Sequence, residues 1–344
     1  MLFSRLVVRD VVQETADAVS LSLECDASFR YLPGQYLTVR TPVGARCYSL
    51  ATSPFSGKMP KIVVKRVRGG AVSNWICDHV RPGDQLDCAG PAGTFTPASL
   101  DDDLLLLAGG SGITPIMGII AALRGDAVLF YANRDADSII FRNELDGLVP
   151  VTHWLDDERG LPTADGLAAL IAEYRDREAF VCGPEPFVAV AEKALQAAGV
   201  PDSRIRIERF ETDPAPTNDA VPTTDAVPTA EPAPTAEPAP TAEPVSTNGP
   251  VSTIDAVAEV SIDGRTHVIP WPAGKRLLDV IIDAGLNPPY SCRQGQCGAC
   301  AVRMTSGEVD LLNNEILDEE DFAEGYILAC QAIPRTNSIS ITYF

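Results

Sequence analysis

The sequence predicts a multidomain chain of three unlike folds: an antiparallel β-barrel, an α/β domain with a parallel sheet, and a small α+β domain. Three observations carry this. Short β-branched runs separated by Gly and Pro turns fill residues 1–98, and apolar runs alternate with helical stretches over residues 99–210. A proline-rich acidic stretch, 211–253, then sets off residues 254–344, which hold four of the nine cysteines.

At 344 residues and 45% apolar content, each domain can bury a core. No apolar run is long enough to cross a bilayer, and the start, Met1-Leu-Phe-Ser-Arg-Leu, lacks a secretion signal. A monomer in the cytoplasm, off the membrane, is expected. The net charge of −20, with no cluster of Lys and Arg, excludes nucleic acid and favours a protein partner with a basic face. The three histidines, His79, His153 and His267, are scattered, so the chain lacks a mononuclear or dinuclear iron site and is not itself the oxygen-activating component.

In the first domain, residues 19–24, 35–40 and 61–67 read as barrel strands. At a strand edge stands Arg46-Cys-Tyr48-Ser49-Leu, and some twenty residues on comes Gly69-Gly70-Ala-Val72-Ser73 at a helix start. Together these suit a flavin nucleotide. Arg46 can pair with a phosphate, Tyr48 can lie on the isoalloxazine ring, and Ser49 can bond its N5 edge. The Gly69, Gly70, Val72 and Ser73 segment can cradle a pyrophosphate. Taken alone, Tyr48 also suits a core position and Ser73 a helix N-cap.

In the second domain, residues 104–108, 127–131, 149–154 and 179–181 read as parallel strands, with a helix over 184–198. The run Leu104-Leu-Leu-Leu-Ala-Gly-Gly110-Ser-Gly112-Ile-Thr114-Pro115 is a buried strand, a Gly-rich turn and a helix expected to begin at Pro115. This is a pyrophosphate cradle or, taken alone, simply a tight turn. Cys182-Gly183-Pro184 ends another strand and opens a helix, where Cys182 read alone is a buried small side chain. After the second strand, Arg134 can bind a 2′-phosphate and Asp135 can oppose one, and the acid favours NADH over NADPH.

Residues 211–250 contain ten prolines, seven acids and no Lys or Arg. Such a tether favours polyproline II at about 3.1 Å per residue, a reach on the order of 100 Å. It would let the last domain swing to an acceptor, or offer a motif to a proline-binding module.

In that last domain, 256–262 and 267–271 read as strands, 276–284 as a helix and 338–343 as a terminal strand. Between them Cys292, Cys297 and Cys300 follow Cys-x4-Cys-x2-Cys, and Cys330 comes 29 residues later. This is the ligand pattern of a plant-type [2Fe–2S] cluster, while the lone fourth cysteine argues against zinc. Gly295 and Gly298 let backbone amides approach the sulfurs. The acidic run 315–324 is either a docking surface for a partner protein or a solvated helix face.

On these motifs the terminal domain resembles plant-type ferredoxins, which implies a β-grasp fold. The first 210 residues resemble the ferredoxin–NADP reductase superfamily through Arg46, Tyr48 and Ser49, then Gly69, Gly70 and Ser73. That resemblance implies FAD as the flavin, a nicotinamide beside Thr114 and Cys182, and Phe210 over the flavin face. It makes Ser49, Thr114 and Cys182 the candidate catalytic residues. The domain order, with Cys330-Gln-Ala-Ile-Pro, Leu311-Leu-Asn-Asn-Glu315 and His153-Trp-Leu155, resembles the reductase components of 3-ketosteroid 9α-hydroxylase and related Rieske oxygenase systems. It implies electrons passed one at a time to a terminal oxygenase for steroids or aromatic rings. A diiron monooxygenase or acyl-CoA epoxidase as client, or a redox-sensing role, are the alternatives.

Overall fold

The computed structural model describes residues 3–210, 254–262, 264–286, 288–290 and 292–343. The proline-rich tether, the terminal Phe344 and Ser291 beside the first cluster cysteine lie outside these residues.

The first domain is a six-stranded antiparallel sheet of β1 (Ser4–Thr15), β2 (Ala18–Glu24), β3 (Tyr36–Thr41), β4 (Gly44–Ser49), β5 (Lys61–Lys65) and, after helix α1 (Ala71–His79), β6 (Gln85–Ala92). The strand order is β4-β3-β6-β1-β2-β5. A bridge between Leu50 and Ile62 draws the two outer strands together and curls the sheet into a barrel. Alternation along each strand turns Val8, Leu21, Leu37, Val39, Ile62 and Val64 inward, where all are fully buried, and α1 plugs the barrel with Val72 and Ile76. At some 25 cal/mol per Å² of apolar area, each such side chain contributes about 1.5–3 kcal/mol by leaving water.

The second domain follows as β7 (Leu104–Gly109), α2 (Ile113–Ile120), β8 (Ala127–Asn133), α3 (Arg142–Leu145), β9 (Val151–Leu155), α4 (Asp156–Arg159), α5 (Ala164–Ile171), β10 (Glu178–Pro184), α6 (Glu185–Ala197) and β11 (Ile205–Phe210). Its sheet is wholly parallel, in the order β11-β10-β7-β8-β9. The four leucines of β7 show why: Leu104 and Leu106 enter one core and Leu105 and Leu107 the other, so the strand is buried on both faces. The chain winds outward in both directions from β7, which makes the gap between the ends of β7 and β10 the topological switch point.

One expectation fails here. The helix after the Gly-rich turn begins at Ile113, not Pro115, because residues 110–112 form a single 3-10 turn that runs straight into it. Pro115 lies inside the first helical turn, where its missing N–H leaves no hydrogen bond unmade.

The third domain comprises β12 (Ala256–Ile262), β13 (Arg265–Trp271), α7 (Leu277–Asp283), β14 (Ala301–Ser306), β15 (Val309–Leu311), α8 (Glu319–Ala323), β16 (Tyr326–Leu328), β17 (Ala332–Pro334) and β18 (Ser338–Thr342). A mixed sheet ordered β13-β12-β18-β14-β16 clasps α7 over a core of Trp271, Leu277, Ile281 and Leu328. The short pair β15–β17 supports the cysteine loop from the side. Among the described residues no helix is long and apolar enough to cross a membrane.

Candidate functional site

The switch point is built from glycine. A Cβ on Gly112 would lie 2.1 Å from the Cys182 carbonyl oxygen, and one on Gly183 would lie 3.1 Å from the Gly109 Cα. The ends of β7 and β10 thus pack backbone against backbone, which buries Gly112 and the start of α2 and leaves Gly110 and Ser111 of the turn partly exposed. Gly110 takes φ +52°, a conformation that suits glycine. Thr114 is buried and donates its hydroxyl proton to the Ser111 carbonyl at 3.0 Å, so the hydroxyl braces the turn.

Cys182 is fully buried at the end of β10, and burial first, then the nearby Glu208 carboxylate, push its thiol well above the ordinary range. It stands there as a neutral thiol. The parallel register pairs Cys182 with Glu208 on β11 and Pro184 with Phe210, whose half-buried ring packs against the same core. Glu208 receives the Ser49 Oγ proton at 3.4 Å. Loss of hydration raises its carboxyl from 4.5 to about 8, against the lowering effect of the Ser49 hydrogen bond. Ser49, Cys182 and Glu208 therefore meet where the barrel joins the parallel sheet. Sequence motifs assign Glu208 no role, and in Arg206-Ile207-Glu208-Arg209-Phe210 it is one charged residue among three.

In the flavin segments two side chains have structural partners of their own. The Ser73 hydroxyl accepts from the Val67 N–H at 3.2 Å and closes the 67–73 turn. Val72 points into the barrel core. At the start of α1 the groups aimed outward are therefore backbone amides, with Gly70 at the N-cap and Gly69 at φ +75°. On β4, Arg46 and Tyr48 share one face while Cys47 and Ser49 share the other. Tyr48 packs against the barrel core and burial pushes its hydroxyl up.

The two residues expected to sense a 2′-phosphate are both engaged. Arg134 pairs with Asp17 at 3.1 Å, and the Asp135 carboxylate accepts from Ser138 N–H at 2.8 Å in a capping box. Lys65, unremarked in the sequence, brings its ammonium to 3.7 Å from the Cβ position of Gly110.

In the third domain the loop from Cys292 to Cys300 is shaped by Arg293 (φ +52°), Gly295 (φ +81°) and Gly298 (φ +67°). A Cβ on Gly295 would lie 2.6 Å from the Asn313 carbonyl oxygen. The thiols of Cys292 and Cys297 are within hydrogen-bonding reach of each other, as are those of Cys300 and Cys330. Backbone N–H groups already point at the sulfurs: Gln294 to Cys292 at 3.4 Å, Ala299 to Cys297 at 3.5 Å and Cys330 to Cys300 at 3.5 Å. The buried Gln331 amide reaches the Cys330 sulfur at 3.4 Å. Four soft donors ringed by amide N–H groups fit an anionic iron–sulfur cluster.

That loop rests on the barrel. Cys297 and Ala299 are buried against Tyr36 and Ala45, and the Thr38 hydroxyl donates to the Cys297 carbonyl. Arg46 donates to the Tyr290 carbonyl at 3.0 Å. The cluster loop thus packs on the face of β4 that carries Ala45, Cys47 and Ser49.

Comparison with known proteins agrees with this geometry. Residues 4–96 match an oxidoreductase FAD-binding domain, residues 106–193 an oxidoreductase NAD-binding domain, and residues 260–335 a 2Fe-2S iron-sulfur cluster binding domain. The chain is therefore an iron–sulfur flavoprotein oxidoreductase that binds FAD, a nicotinamide cofactor and a [2Fe–2S] cluster. It is 44% identical to the ferredoxin reductase component of 3-ketosteroid-9-alpha-monooxygenase from Mycolicibacterium smegmatis, covering 98% of this chain and 96% of that protein. To the corresponding component from Rhodococcus rhodochrous it is 41% identical, with 98% and 96% covered. A component of the 1,2-phenylacetyl-CoA epoxidase of Escherichia coli is 30% identical, with 99% and 98% covered. Phthalate dioxygenase reductase shares the fold, with a TM-score of 0.58 at 21% identity over 99% of this chain and 98% of that one. The chain belongs to the family of oxygenase ferredoxin reductase components, and it supplies electrons to a separate oxygenase.

Proposed function

We propose that this reductase oxidises NADH at the switch point and feeds a terminal oxygenase of the Rieske type that acts on a 3-ketosteroid. The observation that carries the chemistry is the Ser49–Glu208 hydrogen bond beside Cys182 and the glycine turn. The identity of 44% to a ketosteroid system against 30% to an acyl-CoA epoxidase system favours the steroid client. A cytoplasmic, monomeric protein fits this reading.

In it, Arg46 and the amides of the Gly69–Ser73 turn hold the FAD phosphates, while Tyr48 and Ser49 bracket the ring. Gly110 and Gly112 admit the dinucleotide pyrophosphate. Thr114 and Pro115 shape the start of α2, and Cys182, Gly183 and Pro184 form the wall behind the nicotinamide. Phe210 covers the flavin face until the nicotinamide enters. FAD supplies hydride acceptance and single-electron release, and the cluster held by Cys292, Cys297, Cys300 and Cys330 supplies a one-electron outlet. The protein's own part is to align the two rings, exclude water, and hold the Ser49 hydroxyl against Glu208. The raised proton affinity of Glu208 keeps a second proton, its own, on the carboxyl at neutral pH.

Reconstitution tests the reading. The purified protein with NADH and a Rieske oxygenase should hydroxylate a 3-ketosteroid with coupled NADH consumption. Coupling only to acyl-CoA epoxidase components would reject the steroid client.

A further inference from the structure

Asp17 lies in the tight turn between β1 and β2, in the barrel, yet its carboxylate faces the nicotinamide domain. Its Oδ1 accepts from the Thr15 hydroxyl at 2.8 Å. Its Oδ2 takes the Arg134 guanidinium at 3.1 Å and lies 4.0 Å from the Lys65 ammonium. The Asp17 carbonyl is tied in turn to the Arg66 N–H at 2.7 Å. The carboxylate is therefore aimed by its own turn at two cations, Arg134 after β8 and Lys65 beside the Gly110 turn.

Arg134 stands immediately after β8, the strand beside β7, and in dinucleotide folds this position meets the adenosine ribose. An unpaired arginine there attracts a 2′-phosphate. The acid that sequence reading places in opposition, Asp135, is committed to capping residues 136–138. The opposing charge comes instead from another domain.

We propose that Asp17 sets the preference for the nicotinamide cofactor without a 2′-phosphate, by occupying Arg134 and by repelling the phosphate dianion. This rests on the NADH reading above. Specificity of this kind comes from an unfavourable contact with the wrong ligand as much as from a good contact with the right one. Asp17 touches Arg134 and Lys65 rather than the reacting atoms, so it is a specificity-determining residue and not a catalytic one.

The test uses the full-length, flavin- and cluster-loaded protein. The ratio of kcat/KM for NADPH over NADH is measured for wild type, D17N, D17S and D17N/R134A. Binding of adenosine 2′,5′-bisphosphate and of 5′-AMP is measured by calorimetry, a readout independent of turnover. D17N and D17S should each raise the ratio about tenfold, about 1.4 kcal/mol at 25 °C. They should tighten adenosine 2′,5′-bisphosphate by a similar factor while 5′-AMP changes less than twofold. The gain should vanish in D17N/R134A. If wild type prefers NADH and neither variant moves the ratio or the bisphosphate affinity by more than twofold, the role of Asp17 is rejected and the NADH reading stands. If wild type prefers NADPH, the NADH reading falls and this proposal falls with it.

Discussion

The cluster loop and the hydride site solve the same problem, holding a redox group rigidly, in opposite ways. Three of the four cluster ligands lie within nine residues, and the amides that point at their sulfurs come from the same loop and from Cys330 itself. The hydride site instead draws Ser49 from β4, Gly112 from the turn after β7, Cys182 from β10 and Glu208 from β11. A local site is held by backbone conformation. A distributed one is held by strand register and by how closely two domains pack, so a change in either half should act in its own way.

Removing a ligand should have the largest effect. Cys297→Ser or Cys330→Ala should abolish the cluster's visible absorbance and cut cytochrome c reduction more than a hundredfold, while NADH–ferricyanide activity, drawn from the flavin, is largely kept. Equal loss of both activities would mean that the two regions are not separable.

Next is Gly112→Ala. The added methyl meets the Cys182 carbonyl at 2.1 Å, backbone that cannot turn aside. The expected cost is about 1–3 kcal/mol of reductase stability. It should be read as a lower unfolding midpoint and slower flavin bleaching by NADH, with the cluster spectrum unchanged.

Glu208→Gln sharpens the comparison through pH. The folded carboxyl titrates at about 8 instead of 4.5, so folding disfavours its ionised form. Relative to the glutamine variant, the wild-type protein is favoured most below pH 4.5 and loses that advantage progressively until pH passes about 8. Denaturant titrations of both proteins from pH 5 to pH 9 should show this divergence. The variant's rate of flavin reduction by NADH should fall by roughly 10² and lose its inflection near pH 8. An unchanged pH profile would remove Glu208 from the proton path.

The smallest effect belongs to the seam between the regions. Thr38→Val deletes the hydroxyl that donates to the Cys297 carbonyl, a contact worth about 1 kcal/mol. Stopped-flow traces should show electron passage from flavin to cluster slowed a few-fold, with hydride transfer unaltered.

These contrasts track what can be read along the chain. The four cysteines, the turn glycines, the two-faced leucine strand and the three-domain order follow from local pattern, because ligand spacing, positive φ and strand alternation are properties of neighbouring residues. The Ser73 hydroxyl braces the 67–73 turn and Val72 fills the barrel core, because a motif shows that a turn is present but not what its side chains pack against. Pro115 is not the first helical residue, because the preceding 3-10 turn carries no sequence mark of its own.

Read without its fold, the chain already declares a [2Fe–2S] cluster beside a flavin and nicotinamide reductase. That Glu208 meets Ser49, that Asp17 holds Arg134, and that Thr38 meets the cluster loop emerges only once the chain is folded. Each of those pairs joins residues 117 or more positions apart. Charge, burial and hydrogen bonding act through space, and at such separations it is strand register and domain packing that bring the partners together.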